Sequence, residues 1–439
     1  MKKNQILKVS RMAENLTGSE IIKLAGEIRE RIQRGEQIYN FTIGDFDPSI
    51  FPIPVELKSG IIAAYEKGET NYPPADGMLQ LRKSVAGFLK TRGGLEYGEQ
   101  QILIAGGARP LIYTAYRTLV DPGDTVIVPV PSWNNNHYCH QMAAKPAFIE
   151  TTASHNFMPT ADEIAPHIEE ASLIALCSPQ NPTGTVFDRN ELARICQLVI
   201  SENRSRKKGV KPLYVLYDQI YWMLTSGKIK HYDPVSLFPE MRDYTLYIDG
   251  ISKSFAATGV RVGWAFGPQR VLDKMKAILG HIGAWAPRAE QIACAGFLSQ
   301  NEAVDRFLLK YRADINSKLF AFHEGFQQLK KEGFPVDSVT PQAAIYLTAK
   351  IDITGAKTQA GVKLATTADA TAYLLDEARI ALVPFYAFGA GLTSPWYRLS
   401  VGTAVNRDIG KFFIGLRDAL GRLIKNKITP DRAASSESG

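Results

Sequence analysis

The sequence predicts an α/β protein: a three-layer α/β/α domain around a mostly parallel sheet, followed by a smaller α+β domain. Between about residues 20 and 300, helical patterns alternate with short apolar runs such as "TVIVPVP" and "SLIALCSP". These runs lack polar alternation, which is typical of parallel strands that helices cover on both faces. Beyond about residue 300, one long helical pattern precedes shorter strands and helices, and this change indicates the second domain.

The elements of the larger domain follow from their periodicity and from the turns between them. Residues 20–35 form an amphipathic run that ends on glycine, as a helix does. Strand and helix patterns then alternate in the order "QILIAGG", "ARPLIYTAYRTLVDPGD", "TVIVPVP", "ADEIAPHIEEA", "SLIALCSP", "RNELARICQLVISEN", "PLYVLYD", "YTLYI" and "VGWAFGP". Sheets built in this way bind ligands at the carboxyl ends of their strands.

The smaller domain is introduced by "NEAVDRFLLKYRADINSKLFAFHEGFQQLKKEG", which we interpret as one long connecting helix. After it come the strand "AAIYLTAKI", a helix around 368–378, the strands "IALVPFY" and "WYRLSVG", and a last helix, "VNRDIGKFFIGLRDALGRLIK". We therefore predict four parts: an N-terminal arm and helix over 1–45 that pack with the small domain, a large domain over 46–315, a small domain over 316–425, and a polar tail over 426–439.

Composition and charge argue against several classes of partner. The 439 residues carry a net charge of +7, and the dense basic run "RSRKK" at 204–208 is typical of a solvated loop. Nucleic-acid binding would need more charge with interleaved aromatic residues. No apolar stretch approaches the length of a membrane span, and the start lacks the apolar core of a signal peptide.

The cysteines point to a reducing compartment. The chain has four of them, Cys139, Cys177, Cys196 and Cys294, and their spacing matches neither a CxxC pair nor a metal site. We therefore expect reduced thiols in a cytoplasmic protein, and no bound metal.

Three polar residues follow the ends of predicted strands. Asn181 lies in "CSPQNPTG", Asp218 ends "YVLYD", and Lys253 lies in "DGISKSFAATGVRVG" behind the strand "YTLYI". Asp218 comes 37 residues after Asn181, and Lys253 comes 35 residues after Asp218. Each interval suits a helix and a return strand, so the three groups are expected above one edge of one sheet.

The chemistry of these groups suggests a particular cofactor. A lysine is a nucleophile only when burial or a nearby cation lets it lose its proton. A carboxylate can keep a heteroaromatic nitrogen protonated, and a phenol or carboxamide can hydrogen-bond a ring oxygen. Serines, an arginine and helix N-terminal amides can hold a phosphate. Together these needs describe pyridoxal phosphate, bound to lysine as a Schiff base.

The motifs "SPQNPTG", "YDQIY", "SKSFAATGVRVG" and "YRLSVG", in this order, resemble the class I/II aminotransferases of the aspartate aminotransferase superfamily. "NYPPADGMLQLRKSV" and "LVDPGDTVIVPVPSW" are similar to two further segments of that family. The resemblance extends from roughly residue 38 to 420. It implies the pyridoxal-phosphate fold type I and the transfer of an amino group between an L-amino acid and a 2-oxo acid.

The resemblance implies roles around the cofactor ring. Lys253 would form the Schiff base and move the proton between the substrate and the cofactor. Asp218 would pair with the pyridine nitrogen. Tyr221 and Asn181 would hydrogen-bond the phenolic oxygen of the ring, and Trp133 would stack on it.

The resemblance also implies a phosphate site, a substrate clamp and an assembly. The amides of Gly107 and Ala108, with Ser252 and Arg261, would hold the phosphate, and Tyr72 would reach it from the other subunit of a homodimer with shared active sites. Arg398 would clamp the substrate α-carboxylate as a bidentate partner, assisted by Asn181 and Gly44.

Two departures from the family pattern concern the phosphate and the substrate. Many relatives carry serine where this chain has Gly250, so Ser252 or Ser254 is a candidate replacement, unless the phosphate has one hydroxyl fewer. Some aspartate-preferring relatives carry a lysine where this chain has Ala108. Whether the neighbouring Arg109 replaces that lysine is open at this level.

The segment around Pro287 and the reaction itself each admit more than one interpretation. Trp285 and Arg288 either line the side-chain pocket, or Arg288 belongs to the first turn of a helix after Pro287. The amino donor cannot be read from the pocket positions. The motifs are also compatible with a lyase, decarboxylase or synthase on the same fold, whereas a non-catalytic regulator would need a DNA-binding extension that we do not find.

Overall fold

The computed structural model describes residues 8–16, 18, 20–133 and 135–423. The predicted polar tail at 426–439 lies outside the described residues. The helices are α1 Arg11–Glu14, α2 Glu20–Gln33, α3 Val55–Glu66, α4 Leu79–Gly93, α5 Ala108–Leu119, α6 Asn135–Met142, α7 Ala161–Ile164, α8 Arg189–Ser205, α9 Pro234–Leu237, α10 Ile251–Ser254, α11 Gln269–Ile282, α12 Arg288–Leu298, α13 Asn301–Lys331, α14 Thr367–Glu377 and α15 Asn406–Gly421.

The strands form three sheets. They are β1 Tyr39–Asn40, β2 Ile102–Ala105, β3 Thr125–Val130, β4 Lys145–Glu150, β5 Ala171–Cys177, β6 Tyr214–Asp218, β7 Thr245–Gly250, β8 Gly263–Phe266, β9 Val336–Ser338, β10 Tyr346–Ile351, β11 Ile380–Ala381, β12 Val383–Pro384 and β13 Trp396–Ser400.

The largest sheet has seven strands in the order β2-β8-β7-β6-β5-β3-β4. Strands β3 to β7 run parallel to their neighbours within this group, while β8 is antiparallel to both β7 and β2. Buried side chains from both faces of this sheet enter two separate apolar clusters, one with Ile174 and Tyr217 and the other with Leu173 and Leu216. The predicted α/β fold with a mostly parallel, doubly covered sheet is confirmed.

Two smaller sheets involve the C-terminal part of the chain. Strands β12-β13-β10-β9 form an antiparallel sheet, and β1 pairs with β11 in parallel. The β1–β11 pairing ties the N-terminal segment to the C-terminal part. Helix α2 is anchored there by Ile28, which packs with Leu375 and Ala381.

The basic run at 204–208 differs in part from its prediction as a solvated loop. Helix α8 continues to Ser205, and the Arg206 side chain is only 11 % exposed. Its guanidinium pairs with Glu202 at 2.7 Å and donates to the carbonyl oxygen of Ala171 at 2.7 Å. Arg206 therefore fastens the end of α8 to the start of β5, because a planar guanidinium has enough donors to satisfy several acceptors at once.

Within the part of the chain that the structure describes, no helix is both long and apolar enough to cross a membrane. All four cysteines are unpaired thiols, and Cys139, Cys196 and Cys294 are buried.

Candidate active site

A cavity of about 850 Å³ opens at the carboxyl ends of β5, β6 and β7. These strands are neighbours and parallel, so the residues that follow them reach the same edge of the sheet. Of the residues predicted from the sequence, all but Gly107 and Tyr72 line it: Gly44, Ala108, Trp133, Asn181, Asp218, Tyr221, Ser252, Lys253, Arg261 and Arg398.

Lys253 lies on the short helix α10, directly after β7, and its amine points into the cavity. Nζ donates to the carbonyl oxygen of Gly44 at 2.6 Å, and the backbone oxygen of Lys253 accepts from Tyr311 Oη at 2.9 Å. Burial lowers the pKa of Lys253 to about 8, assisted by nearby arginines such as Arg398 and opposed by Asp45. With a pKa of about 8, roughly a tenth of the amine is uncharged at pH 7, far more than at the ordinary lysine pKa, and the uncharged amine is the nucleophile.

Asp218 ends β6, is half-buried and lines the same cavity. Its carboxylate accepts one hydrogen bond, from the backbone nitrogen of Ile220 at 3.1 Å. Burial raises the pKa of Asp218 to about 6, while that hydrogen bond lowers it. Since no salt bridge joins it to any described cation, this carboxylate is suited to a positively charged ring nitrogen.

Arg398 lies on β13, which pairs with β10, and it is only 1 % exposed. Nη1 donates to Asn181 Oδ1 at 3.0 Å, and Nη2 donates to the carbonyl oxygen of Thr42 at 2.7 Å. Nε has no partner among the described residues, and burial lowers the pKa of the guanidinium. A buried cation without an anion is costly, so the arrangement fits a carboxylate that arrives with the ligand.

The geometry around Arg261 forms a cradle for an anion. Its Nη1 donates to the Thr258 carbonyl and its Nη2 to the Gly106 carbonyl, both at 2.8 Å. Gly107 precedes α5 with φ of 95°, and a Cβ there would overlap the Arg261 guanidinium. The N-terminal amides of this 12-residue helix and the guanidinium therefore lie side by side, which is how proteins bind phosphate.

The structure answers the question raised by the missing serine. A Cβ at Gly250 would lie 2.8 Å from Gly263 Cα and 2.9 Å from the Val262 carbonyl oxygen, so the strands approach too closely for any side chain. Ser252 lines the cavity. Ser254 does not, and its buried Oγ lacks a described partner. Of the two candidate serines, Ser252 is therefore the one that lines the cavity.

Tyr72 and the described residues of the 280–291 segment do not line the cavity. The Tyr72 side chain is 81 % exposed and packs edge-on against Trp285, with ring centroids 5.3 Å apart. Arg288 is the first residue of α12 and pairs with Glu69 at 2.6 Å. Of the two interpretations of Arg288, the start of a helix is the one that the structure supports.

The cavity residues that sequence reasoning missed include Tyr346 and several residues of helix α2. Tyr346, on β10, is buried and its Oη lies 2.6 Å from Tyr221 Oη. Helix α2 also lines the cavity, through residues that include Ile22 and Arg29. Tyr346 stands in an apolar strand pattern and α2 has an ordinary amphipathic pattern, so neither carried a signal beyond packing.

A search against family models matches residues 36–409 to "Aminotransferase class I and II". The chain belongs to this family. Among curated relatives, an aspartate aminotransferase of Bacillus sp. (strain YM-2) is 27 % identical over 396 residues, which cover 90 % of this chain and 94 % of the relative. A bifunctional aspartate and glutamate/aspartate-prephenate aminotransferase of Petunia hybrida is 29 % identical, over 87 % of this chain and 77 % of the relative.

Solved structures agree with this membership. The aspartate aminotransferase of Rhizobium meliloti superposes with a TM-score of 0.86 at 25 % identity, over 95 % of this chain and 100 % of that one. An alanine aminotransferase of Pyrococcus furiosus, at 20 % identity, shares the fold with a TM-score of 0.82. The predicted family and the predicted fold type are both confirmed.

The protein is therefore a transaminase that uses pyridoxal phosphate to move an amino group between an amino acid and a 2-oxo acid. The residues present fit this cofactor: an amine of lowered pKa, a half-buried carboxylate without a described cation beside it, and a cradle beside a helix N-terminus surround one cavity. When bound, the cofactor supplies an aldehyde for the amine and a ring that accepts electrons. The relatives provide no support for a lyase, decarboxylase or synthase.

Proposed function

We propose that the cavity is the active site of an aminotransferase for dicarboxylic amino acids such as aspartate or glutamate. Lys253 acts there as the nucleophile that holds the cofactor and as the base that moves the substrate α-proton. Asp218 holds the ring nitrogen in its protonated form, Asn181 and Tyr221 bind the phenolic oxygen, and Trp133 stacks on the ring. These roles are supported by the way the side chains converge on one cavity.

The remaining side chains bind the two ends of the ligands. Arg261, Ser252 and the amides of Gly107 and Ala108 hold the cofactor phosphate. Arg398 clamps the α-carboxylate of the substrate, with Asn181 and Gly44 beside it. Because Nη1 of Arg398 bonds to Asn181 and Nη2 to a backbone carbonyl, the guanidinium is fixed before the substrate arrives.

A second guanidinium in the cavity carries the proposal of a dicarboxylic substrate. Arg109 is exposed and has neither a hydrogen bond nor an ion pair with any described residue. Its guanidinium lies 5.3 Å from the centroid of the Trp133 ring, and that of Arg398 lies 5.9 Å from the same centroid. Two arginines beside one ring match two carboxylates of one small substrate. The names of the relatives, several of them aspartate aminotransferases, support the same assignment.

The test is a substrate comparison with an Arg109→Ala variant. With 2-oxoglutarate in excess, we expect kcat/KM for aspartate to fall by about 10- to 100-fold, the scale of one charged hydrogen bond, and kcat/KM for alanine to change little. Arg109→Lys should recover part of the loss. Arg270→Ala, which removes an exposed arginine of α11 outside the cavity, serves as the matched control. An equal loss for both amino acids, or a native preference for alanine, would refute the dicarboxylate assignment.

We also infer that the enzyme is a homodimer with shared active sites. The exposed Tyr72 supports this, since its hydroxyl is free of described partners and its ring is oriented by Trp285 at the surface. Tyr72 then reaches the phosphate of the partner's cofactor. Light scattering combined with assays on dilution tests the inference, because a dimer with shared sites must lose cofactor as it dissociates. A fully active monomer would exclude it.

The predicted domain division and the cytoplasmic location remain proposals. The division at 45/46 and 315/316 is supported by the seven-stranded sheet lying before the boundary and the four-stranded sheet after it, while α13 runs unbroken across 315/316. Four unpaired thiols support a reducing compartment.

A further inference from the structure

Tyr346 connects the two halves of the cavity. It begins β10, the strand that pairs with β13, and it is 1 % exposed. Its Oη lies 2.6 Å from Tyr221 Oη, and the two rings meet at 68° with centroids 5.5 Å apart. On its other side, the Arg398 guanidinium lies 4.6 Å from the centroid of the Tyr346 ring. One side chain thus contacts both the residue assigned to the cofactor ring and the residue assigned to the substrate carboxylate.

The space around this hydroxyl is restricted. A Cβ on Gly44 would lie 2.8 Å from Tyr346 Oη and 3.5 Å from Arg398 Nη1, so a side chain at position 44 would displace the phenol. The absence of a side chain at Gly44 therefore leaves room for the Tyr346 hydroxyl as well as for a substrate. Tyr346 stands on β10 and Arg398 on the neighbouring β13, so the backbone of this sheet sets the spacing between these two side chains.

One of the two phenols must donate to the other. Burial raises the pKa of both hydroxyls, and it raises that of Tyr221 well above the ordinary value. For Tyr346 the positive charge of Arg398 is the main opposing influence on the pKa. Both phenols are therefore protonated, and each has one proton to donate. Since Tyr221 is proposed to give its proton to the cofactor oxygen, it accepts the hydrogen bond from Tyr346 in the 2.6 Å contact between them.

We propose that Tyr346 is a positioning residue that directs the hydroxyl proton of Tyr221 toward the phenolic oxygen of the cofactor while its ring supports Arg398. This inference rests on the role proposed above for Tyr221. A phenol that accepts a hydrogen bond becomes a stronger donor, because hydrogen bonds in a chain polarise one another. Tyr346 therefore strengthens the bond from Tyr221 by donating to the Tyr221 hydroxyl.

The effect can be measured without turnover. A hydrogen bond donated to the phenolic oxygen stabilises its negative charge, so the bound cofactor loses its proton at lower pH. The pH midpoint of the visible absorbance change of the holoenzyme reports this. In Tyr346→Phe we expect the midpoint to rise by about half a pH unit, less than in Tyr221→Phe. The double variant should match Tyr221→Phe, because Tyr346 acts only through Tyr221.

Kinetic constants distinguish the role of the Tyr346 hydroxyl from that of the Tyr346 ring. Tyr346→Phe keeps the ring beneath Arg398, so kcat should fall while KM for the amino acid changes little. Tyr346→Leu removes the ring and should raise KM as well. Tyr373→Phe is the control for the loss of a buried hydroxyl, since Tyr373 donates to the Ala419 carbonyl at 2.7 Å, far along the chain in α14. That variant should shift neither the midpoint nor KM.

The outcomes distinguish two failures. If Tyr221→Phe shifts the midpoint and Tyr346→Phe leaves it unchanged or lowers it, the positioning role is wrong and the proposed role of Tyr221 survives. Additive shifts in the double variant would likewise exclude an action through Tyr221. If neither variant shifts the midpoint, Tyr221 does not bind the phenolic oxygen, and both ideas fail.

Discussion

The cavity has an inner wall and an outer rim that are built in different ways. The inner wall, defined here as Asn181, Asp218, Tyr221, Lys253 and Arg398, follows strand ends or lies on a strand, and its polar groups are held by partners at 2.6–3.1 Å. The outer rim consists of Ile22, Arg29, Ile43 and Arg109. Ile22 is 72 % exposed, and neither rim arginine has a hydrogen bond or ion pair with a described residue.

The difference separates shared chemistry from substrate choice. Groups on the inner wall are fixed by the ends of parallel strands or, for Arg398, by the antiparallel sheet, so their positions depend little on side-chain freedom. Groups on the rim retain rotamer freedom and can adapt to the side chain of the substrate. We therefore expect substitutions in the inner wall to affect every substrate, and substitutions at the rim to affect only some. The following predictions test that expectation.

The largest effect should come from Lys253→Ala. The variant loses the amine of lowered pKa but keeps the phosphate cradle and Asp218, so it should still bind the cofactor. Turnover should fall by at least about 10²–10⁴-fold, the usual contribution of general acid–base catalysis, for every amino acid tested. Borohydride reduction of the native holoenzyme followed by peptide mapping should place the cofactor on "SKSF". Rapid turnover by the variant, or an adduct on another lysine, would refute the assignment.

The second effect concerns the fixed guanidinium. Arg398→Lys keeps the charge but loses the fork that bonds Asn181 and the Thr42 carbonyl together. Binding of all amino acids and 2-oxo acids should weaken by about 1.5–3 kcal/mol, the scale for a charged hydrogen bond. Single-turnover titrations with aspartate and alanine measure this. A loss confined to aspartate would mean that Arg398 contributes to substrate choice, as expected of a rim residue, and does not bind the carboxylate common to all substrates.

A third test uses the tight contact beneath the site. Gly250→Ser introduces the serine found in many relatives, but its Cβ would collide with Gly263 and the Val262 carbonyl. We expect a loss of about 1–3 kcal/mol in the free energy of unfolding, as overpacking causes, with no gain in cofactor affinity. Ser252→Ala is the opposite case and should weaken cofactor binding with little loss of stability. Denaturant unfolding and cofactor titration separate the two.

The smallest effect is a dependence of cofactor affinity on pH. Burial raises the pKa of Asp218 to about 6 in the unliganded protein, so the carboxylate is charged above that value and neutral below it. Only the charged form favours a protonated ring nitrogen. Cofactor affinity should therefore be constant with respect to this group above pH 6 and fall about tenfold per unit below it. The Asp218→Asn variant should bind the cofactor weakly, and its affinity should not fall below pH 6. If the fall persisted in that variant, another titrating group would be its cause.

Much of the inner wall could be predicted from the sequence. Asn181, Asp218 and Lys253 directly follow apolar strands, and the intervals between them match strand–helix–strand units, so a parallel sheet must bring them together. The strand after Lys253 is also predictable. Its antiparallel direction follows from the short connection between β7 and β8.

The rim and the contacts of Tyr346 could not be predicted in the same way. Tyr346 lies in a different sheet, and its approach to Tyr221 depends on how that sheet packs on the other. Helix α2 reaches the cavity because Ile28 fixes it to Leu375 and Ala381, which are distant in sequence. The close contact at Gly250 depends on backbone spacing within 3 Å, and no residue pattern encodes that distance.

Arg398 Nε and the Asp218 carboxylate have no counter-charge among the described residues. The stability of the folded enzyme therefore depends on whether its ligands are bound. The ligand-free chain bears the desolvation cost of both groups, and the cofactor and a carboxylate substrate remove it only in the folded state. Each ligand therefore stabilises the folded protein by about 2.7 kcal/mol at a hundredfold excess over Kd, and the melting temperature rises with the ligand concentration. In a cell, the lifetime of the protein against proteolysis would then follow the supply of the cofactor and of its substrates.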